Sequence, residues 1–195
     1  MNNIRTNIYM VRHAESPFRY GEERTRGISE AGAQAAKRVA DILRNEAIDV
    51  VVSSPYARAI LTVQPLADQA NLSILPYEAL QERFVEGHYH VSWEEKKQAV
   101  AKSFDDIDYA MDGGESTRAA QQRAIPVIEE LLSTYGGKNI VIGTHGNIMT
   151  VIMNYYDSRY GFDFWNQTSM PDIYRMTFEG NRLQQIDRCW NLSCS

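Results

Sequence analysis

The chain has 195 residues, of which 44% are hydrophobic, and a net charge of −5 at neutral pH. These values are typical of a globular protein with one core, and they argue against a general nucleic-acid-binding protein, which normally has a basic surface. Because no apolar run approaches the roughly 20 residues of a membrane span and the N-terminus lacks a signal-peptide core, we expect a single cytoplasmic domain over residues 1–195 without membrane contact.

The first predicted strand is Ile8–Val11, an almost wholly apolar run that Arg12 and His13 follow directly. Such continuous runs are typical of strands that a parallel sheet buries on both faces. Ser29 is then predicted to cap a helix that continues to about Asn45, with Ala31, Ala35 and Val39 on its inward face.

A second unit of the same kind follows. The run Asp49–Ser53 predicts a strand, and Ser54 and Pro55 predict the N-cap and first position of a helix that ends near Ala70. Ser73–Tyr77 predicts a third strand. This alternation indicates an α/β fold with three layers, α/β/α, around a mostly parallel sheet.

Residues 78–114 interrupt the alternation and are predicted to be an insertion that forms a wall of the pocket. Within it, Ser92 and Glu95 form a capping box that predicts a helix to about Phe104. A helix to about Tyr135 follows, with an apolar side made of Ala120, Ala124, Val127, Ile128, Leu131 and Leu132.

The last part of the chain predicts a further strand, a helix and a hairpin. Asn139–Gly143 reads as a buried strand, and Thr144 is a candidate N-cap for a helix over Ile148–Tyr156. Two later runs, Ile173–Phe178 and Leu183–Asp187, predict a closing hairpin that adds an antiparallel edge to the sheet.

Cationic side chains follow three of these strands. If the strands are parallel in one sheet, Arg12, His13, Arg58 and His145 emerge at the same edge, where open α/β sheets bind ligands. Two guanidiniums, two imidazoles and two helix N-termini form a site for a phosphate dianion. A neutral His13 can attack phosphorus, and His145, if protonated, adds a donor together with the backbone N–H groups of Gly146 and Asn147.

The segments Arg12-His13-Ala14-Glu15, Ser53–Ala59 and Thr144-His145-Gly146 closely resemble the motifs of the histidine phosphatase superfamily, also called the phosphoglycerate mutase-like family. The resemblance implies a phosphoglycerate mutase-like fold, with His13 as the phosphorylated nucleophile and Arg12, Arg58 and His145 as the phosphate pocket. It implies Glu82 of Leu80-Gln81-Glu82 as the general acid, with Glu86 as the competing residue. No metal or other cofactor is expected, because the cationic side chains stabilise the phosphoryl charge.

The chain departs from the family pattern after His13. Ser16 stands after Glu15 and keeps a hydroxyl, whereas Arg19 stands where the family often has an asparagine that contacts phosphate. Both are candidate substrate-binding residues. Arg24 and Arg26 could join Arg19 in binding a second anionic group, or the loop arginines could pair with Glu22 and Glu23.

Two further sets of residues could bind metal. His88 and His90 form a His-x-His pair, but no third ligand stands nearby, so we expect them at the pocket rim or the surface. Cys189 and Cys194 lack the second pair of a zinc site, and we expect them to be reduced and without function.

These observations predict a metal-independent phosphatase that hydrolyses a small phosphorylated metabolite through a phosphohistidine on His13. Two alternatives stay open: a phosphoglycerate-type mutase that uses the same intermediate, and a phosphate-binding regulatory module without turnover. Mutases of the family are generally longer and have an insertion rich in Arg and Tyr, whereas residues 78–114 contain little Arg. The substrate and the oligomeric state are left open, with a homodimer as one option.

Overall fold

A mixed sheet of six strands forms the centre of the fold. The structure, a computed structural model, describes residues 4–87 and 90–190. The strands are β1 (Arg5–Arg12), β2 (Val50–Ser53), β3 (Ile74–Pro76), β4 (Asn139–Thr144), β5 (Asp172–Glu179) and β6 (Arg182–Arg188). Their order is β3-β2-β4-β1-β5-β6; β1 to β4 are parallel to one another, whereas β5 pairs antiparallel with β1 and β6 pairs antiparallel with β5. This confirms the predicted mostly parallel sheet with an antiparallel edge.

Helices cover both faces of the sheet. The helices are α1 (Glu30–Leu43), α2 (Ala57–Ala70), α3 (Trp93–Asp105), α4 (Thr117–Thr134), α5 (Gly146–Tyr156) and α6 (Phe162–Gln167). Side chains alternate along β1, so that Ile8 and Met10 enter one core cluster and Tyr9 and Val11 enter another. The first cluster includes residues of α4 and α5, and the second includes residues of α1 and α2.

The three strands that precede the site residues are neighbours in the sheet. β4 lies between β2 and β1, with Ser53 opposite Gly143 and Arg12 opposite Thr144. The pairing continues one residue beyond β1, because the His13 N–H donates to the Thr144 carbonyl at 2.9 Å. The carboxyl ends of β1, β2 and β4 therefore meet at one edge, as predicted.

Two predicted helix starts are wrong. Helix α2 begins at Ala57 after Tyr56, rather than at Pro55, and the Ser54 hydroxyl contacts both the His145 ring and the Tyr56 N–H. Helix α5 begins at Gly146 with His145 as its N-cap, rather than at Ile148 after Thr144. A residue of the candidate site, His145, thus takes the N-cap position that was predicted for Thr144.

The remaining helices agree with the predictions except in detail. Ser29 caps α1 by accepting from the Gly32 N–H, and Ser92 forms the predicted capping box of α3. The apolar side of α4 is buried as predicted. The predicted inward face of α1 is wrong by about one position, since Ala31 is exposed. The residues that the helix buries are Gly32, Ala36, Val39, Ala40 and Leu43. Helix α6 has no counterpart among the predicted elements.

Residues 78–114 leave the sheet after β3. They begin with a 3₁₀ turn, Glu78–Leu80, and later form α3. Val85, Ala99 and Val100 of this segment pack with Trp165 of α6 in a small cluster of their own. Within residues 4–87 and 90–190, none of the helices combines the length and apolarity required to cross a membrane.

Candidate active site

Four of the predicted side chains converge at the carboxyl edge of the sheet. The rings of His13 and His145 lie edge to face with centroids 5.3 Å apart, and both are buried. Arg12 and Arg58 lie near enough to lower the pKa of both imidazoles by their positive charge. The two imidazoles and two guanidiniums are thus grouped at one edge, and their binding of a common phosphate stays a prediction.

The His13 ring is held in one tautomer. Its Nδ1 lies 2.7 Å from the carbonyl oxygen of Ala14. Because a carbonyl can only accept, Nδ1 carries the proton, and the lone pair remains on Nε2. Burial lowers the pKa of His13 to about 3, and the charges of Arg58 and Arg12 act in the same direction. The ring is thus neutral at physiological pH, the state that a nucleophile needs.

Burial favours the neutral form of His145 as well, whereas the sequence analysis left its protonation conditional. Burial lowers its pKa well below 6.5, and the neighbouring His13 and Arg58 lower it further. Its Nε2 lies 2.7 Å from the Ser54 hydroxyl, whose oxygen also accepts from the Tyr56 N–H at 3.3 Å. If the Ser54 O–H donates to Nε2, the proton of His145 is on Nδ1, a buried atom without a partner among the described residues.

The guanidinium of Arg12 is fixed from two sides. Nη1 donates to the carbonyl and the hydroxyl of Thr168, at 2.8 and 2.5 Å. On the other side lies Gly146, where an added Cβ would stand 2.8 Å from Arg12 Nε and 2.9 Å from Cζ. Gly146 therefore serves the site by having no side chain, a role different from the predicted backbone donor.

We expect Gly146→Ala to lower kcat/KM about 10- to 100-fold while leaving the fold intact. The new methyl group displaces the Arg12 guanidinium, and a shift of about 1 Å at a reacting centre can lower the rate 100-fold. The φ of Gly146 is not positive, so alanine fits the backbone and favours the helix. Steady-state kinetics and thermal melting measure both effects.

Gly136→Ala is the matched control, because its Cβ would meet only the Leu132 carbonyl oxygen, at 3.6 Å. This variant should have normal kinetics. Equal kcat/KM in Gly146→Ala and wild type would show that the position of Arg12 does not limit the reaction.

The loop between His13 and α1 brings one of its three arginines and a glutamate to the site. Arg58 is buried, and its Nη1 donates to the backbone carbonyl of Glu23 at 2.5 Å, while Nη2 lies 3.4 Å from the Glu23 carboxylate. Arg26 also contacts Glu23 and is mostly buried. Arg19 instead pairs with Glu22 and Arg24 with Glu78 at the exposed surface. The predicted pairing of loop arginines with Glu22 and Glu23 is thus seen for Arg19 and Arg26.

Ser16 reaches the site only through Arg26. Its O–H donates to the Gly27 carbonyl at 2.6 Å, and its oxygen accepts from Arg26 Nη1 at 2.6 Å. The hydroxyl proton is therefore committed within the loop and is not free for a substrate.

Glu82 lies at the N-terminus of α5. Its Oε1 accepts from the N–H groups of Arg83 and Ile148 at 2.8 and 2.9 Å, and Oε2 accepts from the Asn147 N–H at 3.2 Å. Its charge also acts on Arg12 and Arg58. The backbone donor of Asn147 thus serves Glu82, which corrects the expectation that it is left for phosphate.

The competing residue Glu86 faces elsewhere. It accepts from the Val91 N–H at 3.2 Å and pairs with Lys96 at 3.0 Å. Burial alone would raise its pKa, but these two contacts and the nearby His90 lower it on balance. Both oxygens of Glu86 are thus engaged by Val91 and Lys96 within residues 78–114.

Two polar groups near Glu82 have no counterpart in the sequence analysis. Arg83 is buried and donates to the Glu115 carbonyl and the Ser103 hydroxyl, and its Nη1 lies 3.4 Å from the side-chain oxygen of Asn147. This contact orients the Asn147 amide, whose buried Nδ2 has no partner among the described residues. Only tertiary packing brings these side chains together, and the sequence contains no local signal for it.

The histidine pair is only partly described, since His88 lies outside the described residues. His90 is exposed, lies 3.6 Å from Glu86 and contacts the rings of Phe18 and Tyr20. In the part of the chain that the structure covers, no group of three His, Cys, Asp or Glu side chains is arranged to hold a metal ion. Cys189 is a free thiol, whereas Cys194 lies outside the described residues.

Comparison with known proteins agrees with this geometry. The sequence profile of the histidine phosphatase superfamily (branch 1) matches residues 8–189. Phosphoserine phosphatase 1 of Hydrogenobacter thermophilus is 28% identical over 152 residues, which are 71% of this chain and 70% of that protein.

Solved structures share the fold at low identity. A mycobacterial glucosyl-3-phosphoglycerate phosphatase superposes with a TM-score of 0.75 at 21% identity, covering 97% of this chain and 100% of the other. A phosphoglycerate mutase from Bacillus anthracis superposes with a TM-score of 0.73 at 18% identity, covering 94% and 92%. These similarities confirm the phosphoglycerate mutase-like fold.

Proposed function

We propose that this chain, which belongs to the histidine phosphatase superfamily (branch 1), is a metal-independent phosphatase that hydrolyses a small phosphomonoester through a phosphohistidine on His13. One observation carries the proposal. A neutral imidazole whose Nε2 has no hydrogen-bond partner among the described residues lies beside a second imidazole and two guanidiniums at the edge of the sheet. This is the set of groups that an in-line phosphoryl transfer requires.

In the first step, His13 Nε2 attacks phosphorus, so that a P–N bond forms while the ester P–O bond breaks. Arg12 and Arg58 bind the non-bridging oxygens, and the Nδ1–H of His145 donates to another. Ser54 supports this donor because its hydroxyl occupies Nε2 of the same ring. The leaving oxygen departs with a proton from a nearby acid.

We assign that acid to Glu82. Its Oε1 accepts two backbone N–H groups, whereas Oε2 accepts one long bond and has room for a proton. In the second step, water transfers a proton to Glu82 and attacks phosphorus, the P–N bond breaks, and free His13 and inorganic phosphate result.

The segment 78–114 is proposed to wall the substrate pocket within a single domain of residues 1–195. Its one arginine, Arg83, is buried and bonded to Glu115 and Ser103. It is therefore not available to hold a substrate carboxylate, which supports hydrolysis over phosphoryl return to a second hydroxyl. The cytoplasmic location expected from the sequence is kept as part of this proposal.

A panel of phosphorylated metabolites tests the proposal. The panel contains phosphoserine, 3-phosphoglycerate and p-nitrophenyl phosphate, and each is scored for released phosphate and for isomerised product. We expect phosphate release from at least one alkyl phosphate and no 2-phosphoglycerate from 3-phosphoglycerate.

Isomerised product would instead favour the mutase. Phosphate binding without turnover of any compound would favour the regulatory module.

A further inference from the structure

A third guanidinium belongs to the cluster around His13. The side chain of Arg26 is only 11% exposed, against 68% for Arg19 on the same loop. Arg26 Nη1 donates to both the carbonyl and the hydroxyl oxygen of Ser16, at 3.0 and 2.6 Å. These two bonds hold the Arg26 guanidinium against Ser16, which lies three residues after His13. The charge of Arg26 acts on both His13 and His145.

The carboxylate of Glu23 lies between Arg26 and Arg58. Its Oε2 is 3.3 Å from Arg26 Nη2 and 3.4 Å from Arg58 Nη2. Charge-assisted bonds of this type are normally about 2.7 to 2.9 Å, so both contacts are long. The Glu23 side chain is also 45% exposed and can move into water without breaking the core.

Donors remain unused on the same guanidiniums. The Nε atoms of Arg12, Arg26 and Arg58 are buried, and none has a partner among the described residues. A buried donor without an acceptor is unfavourable, so an acceptor-rich ligand gains from meeting it. Displacement of the Glu23 carboxylate removes one negative charge from between Arg26 and Arg58, which favours a phosphate dianion in its place.

We propose that Arg26 is a phosphoryl-binding residue and that Glu23 is its resident counter-anion, which the phosphoryl group of the substrate displaces. This inference rests on the proposed phosphatase function and adds a substrate-contacting side chain to it. In the free protein Glu23 neutralises Arg26 and Arg58. In the complex the phosphoryl oxygens take over Nη2 of both arginines, and the Glu23 carboxylate turns to solvent.

The test measures binding of inorganic phosphate by calorimetry and hydrolysis of p-nitrophenyl phosphate. Arg26→Gln should weaken phosphate binding by about tenfold or more, since it removes a charge-assisted contact. Glu23→Gln should tighten phosphate binding about three- to tenfold, because phosphate no longer competes with a carboxylate. In the double variant the gain from Glu23→Gln should shrink, since one of its two partners is gone.

Matched controls lie elsewhere on the surface. Glu22→Gln changes the neighbouring carboxylate, which pairs with exposed Arg19, and Arg44→Gln breaks an exposed pair with Asp41 at the same three-residue spacing. Both should bind phosphate as wild type does. Thermal melting checks folding, and Arg26→Lys, which keeps the charge, should recover part of the affinity if Arg26→Gln is unstable.

Two results would overturn the inference. Phosphate affinity of Arg26→Gln within twofold of wild type would exclude contact with the phosphoryl group. Weaker binding in Glu23→Gln would show that Glu23 orients the arginines instead of competing with the ligand. Failure of the phosphatase function itself gives a different result, since wild type would then hydrolyse none of the phosphomonoesters.

Discussion

Replacing His13 with alanine is expected to abolish turnover, with a fall in kcat for p-nitrophenyl phosphate of about 10⁴-fold or more. The variant removes the atom that forms the P–N bond, and no other described side chain can replace it. His145 is the nearest imidazole, but its Nε2 is occupied by the Ser54 hydroxyl. Rapid quench of radiolabelled substrate in alkaline detergent, where a phosphohistidine is stable, should trap a phosphoenzyme in wild type and none in the variant.

His90→Gln is the control for removal of an imidazole, because His90 is exposed and its ring and ion-pair contacts within the described part of the chain are with Phe18, Tyr20 and Glu86. It should have near-normal kinetics. His13→Ala should still bind inorganic phosphate, since Arg12 and Arg58 remain. A labelled phosphoenzyme in His13→Ala would place the nucleophile elsewhere.

Glu82→Gln is expected to slow hydrolysis of poor leaving groups by about 10²- to 10⁴-fold, the usual contribution of a general acid. Alkyl phosphates such as phosphoserine need a proton on the departing oxygen, whereas p-nitrophenolate leaves readily without one. The loss should therefore be much smaller with p-nitrophenyl phosphate. A burst experiment should show that phosphoenzyme formation from the alkyl ester is the slowed step.

Glu86→Gln tests which of the two candidate carboxylates, Glu82 or Glu86, is the general acid. Glu86 is engaged by Val91 and Lys96 away from the imidazoles, so its replacement should change kcat for alkyl phosphates less than threefold. Full activity of Glu82→Gln with phosphoserine would exclude Glu82 as the acid, and a larger loss in Glu86→Gln would transfer the role to Glu86.

Strands that a parallel sheet buries on both faces could be predicted from local sequence. The runs Ile8–Val11, Val50–Val52 and Ile140–Ile142 are apolar throughout, and polar, turn or charged residues end each of them. Since parallel strands share the direction of their carboxyl ends, the grouping of both histidines with Arg12 and Arg58 followed from these strands together with the family resemblance. The structure adds the strand order and the distances.

Helix starts could not be predicted where a tertiary partner competes for the capping group. The Ser54 hydroxyl contacts His145, 91 residues further along the chain. Propensity rules treat Ser54 as a cap because they count only near neighbours. The inward face of α1 was misplaced for a simpler reason: alanine occupies both exposed and buried positions of the helix, so residue type alone does not distinguish Ala35 from Ala36.

The protonation state of His145 and the identity of the loop arginine that lies in the site also depend on packing. His145 is neutral because it is fully enclosed, and enclosure is a property of the folded chain. Arg19, Arg24 and Arg26 occur in the same loop with similar neighbours, yet only Arg26 is directed inward by Ser16. Sequence spacing cannot distinguish them because the path of an irregular loop decides which side chain points into the site.

The two imidazoles are connected by main-chain pairing between β1 and β4, including the bond from the His13 N–H to the Thr144 carbonyl. Adjacent strands are about 4.8 Å apart in any sheet, so backbone geometry rather than side-chain packing fixes the distance between the backbones that carry His13 and His145. Substitutions in surrounding helices and loops can therefore reshape what the cavity admits without disturbing the reacting pair. Selectivity and chemistry can diversify independently on this scaffold.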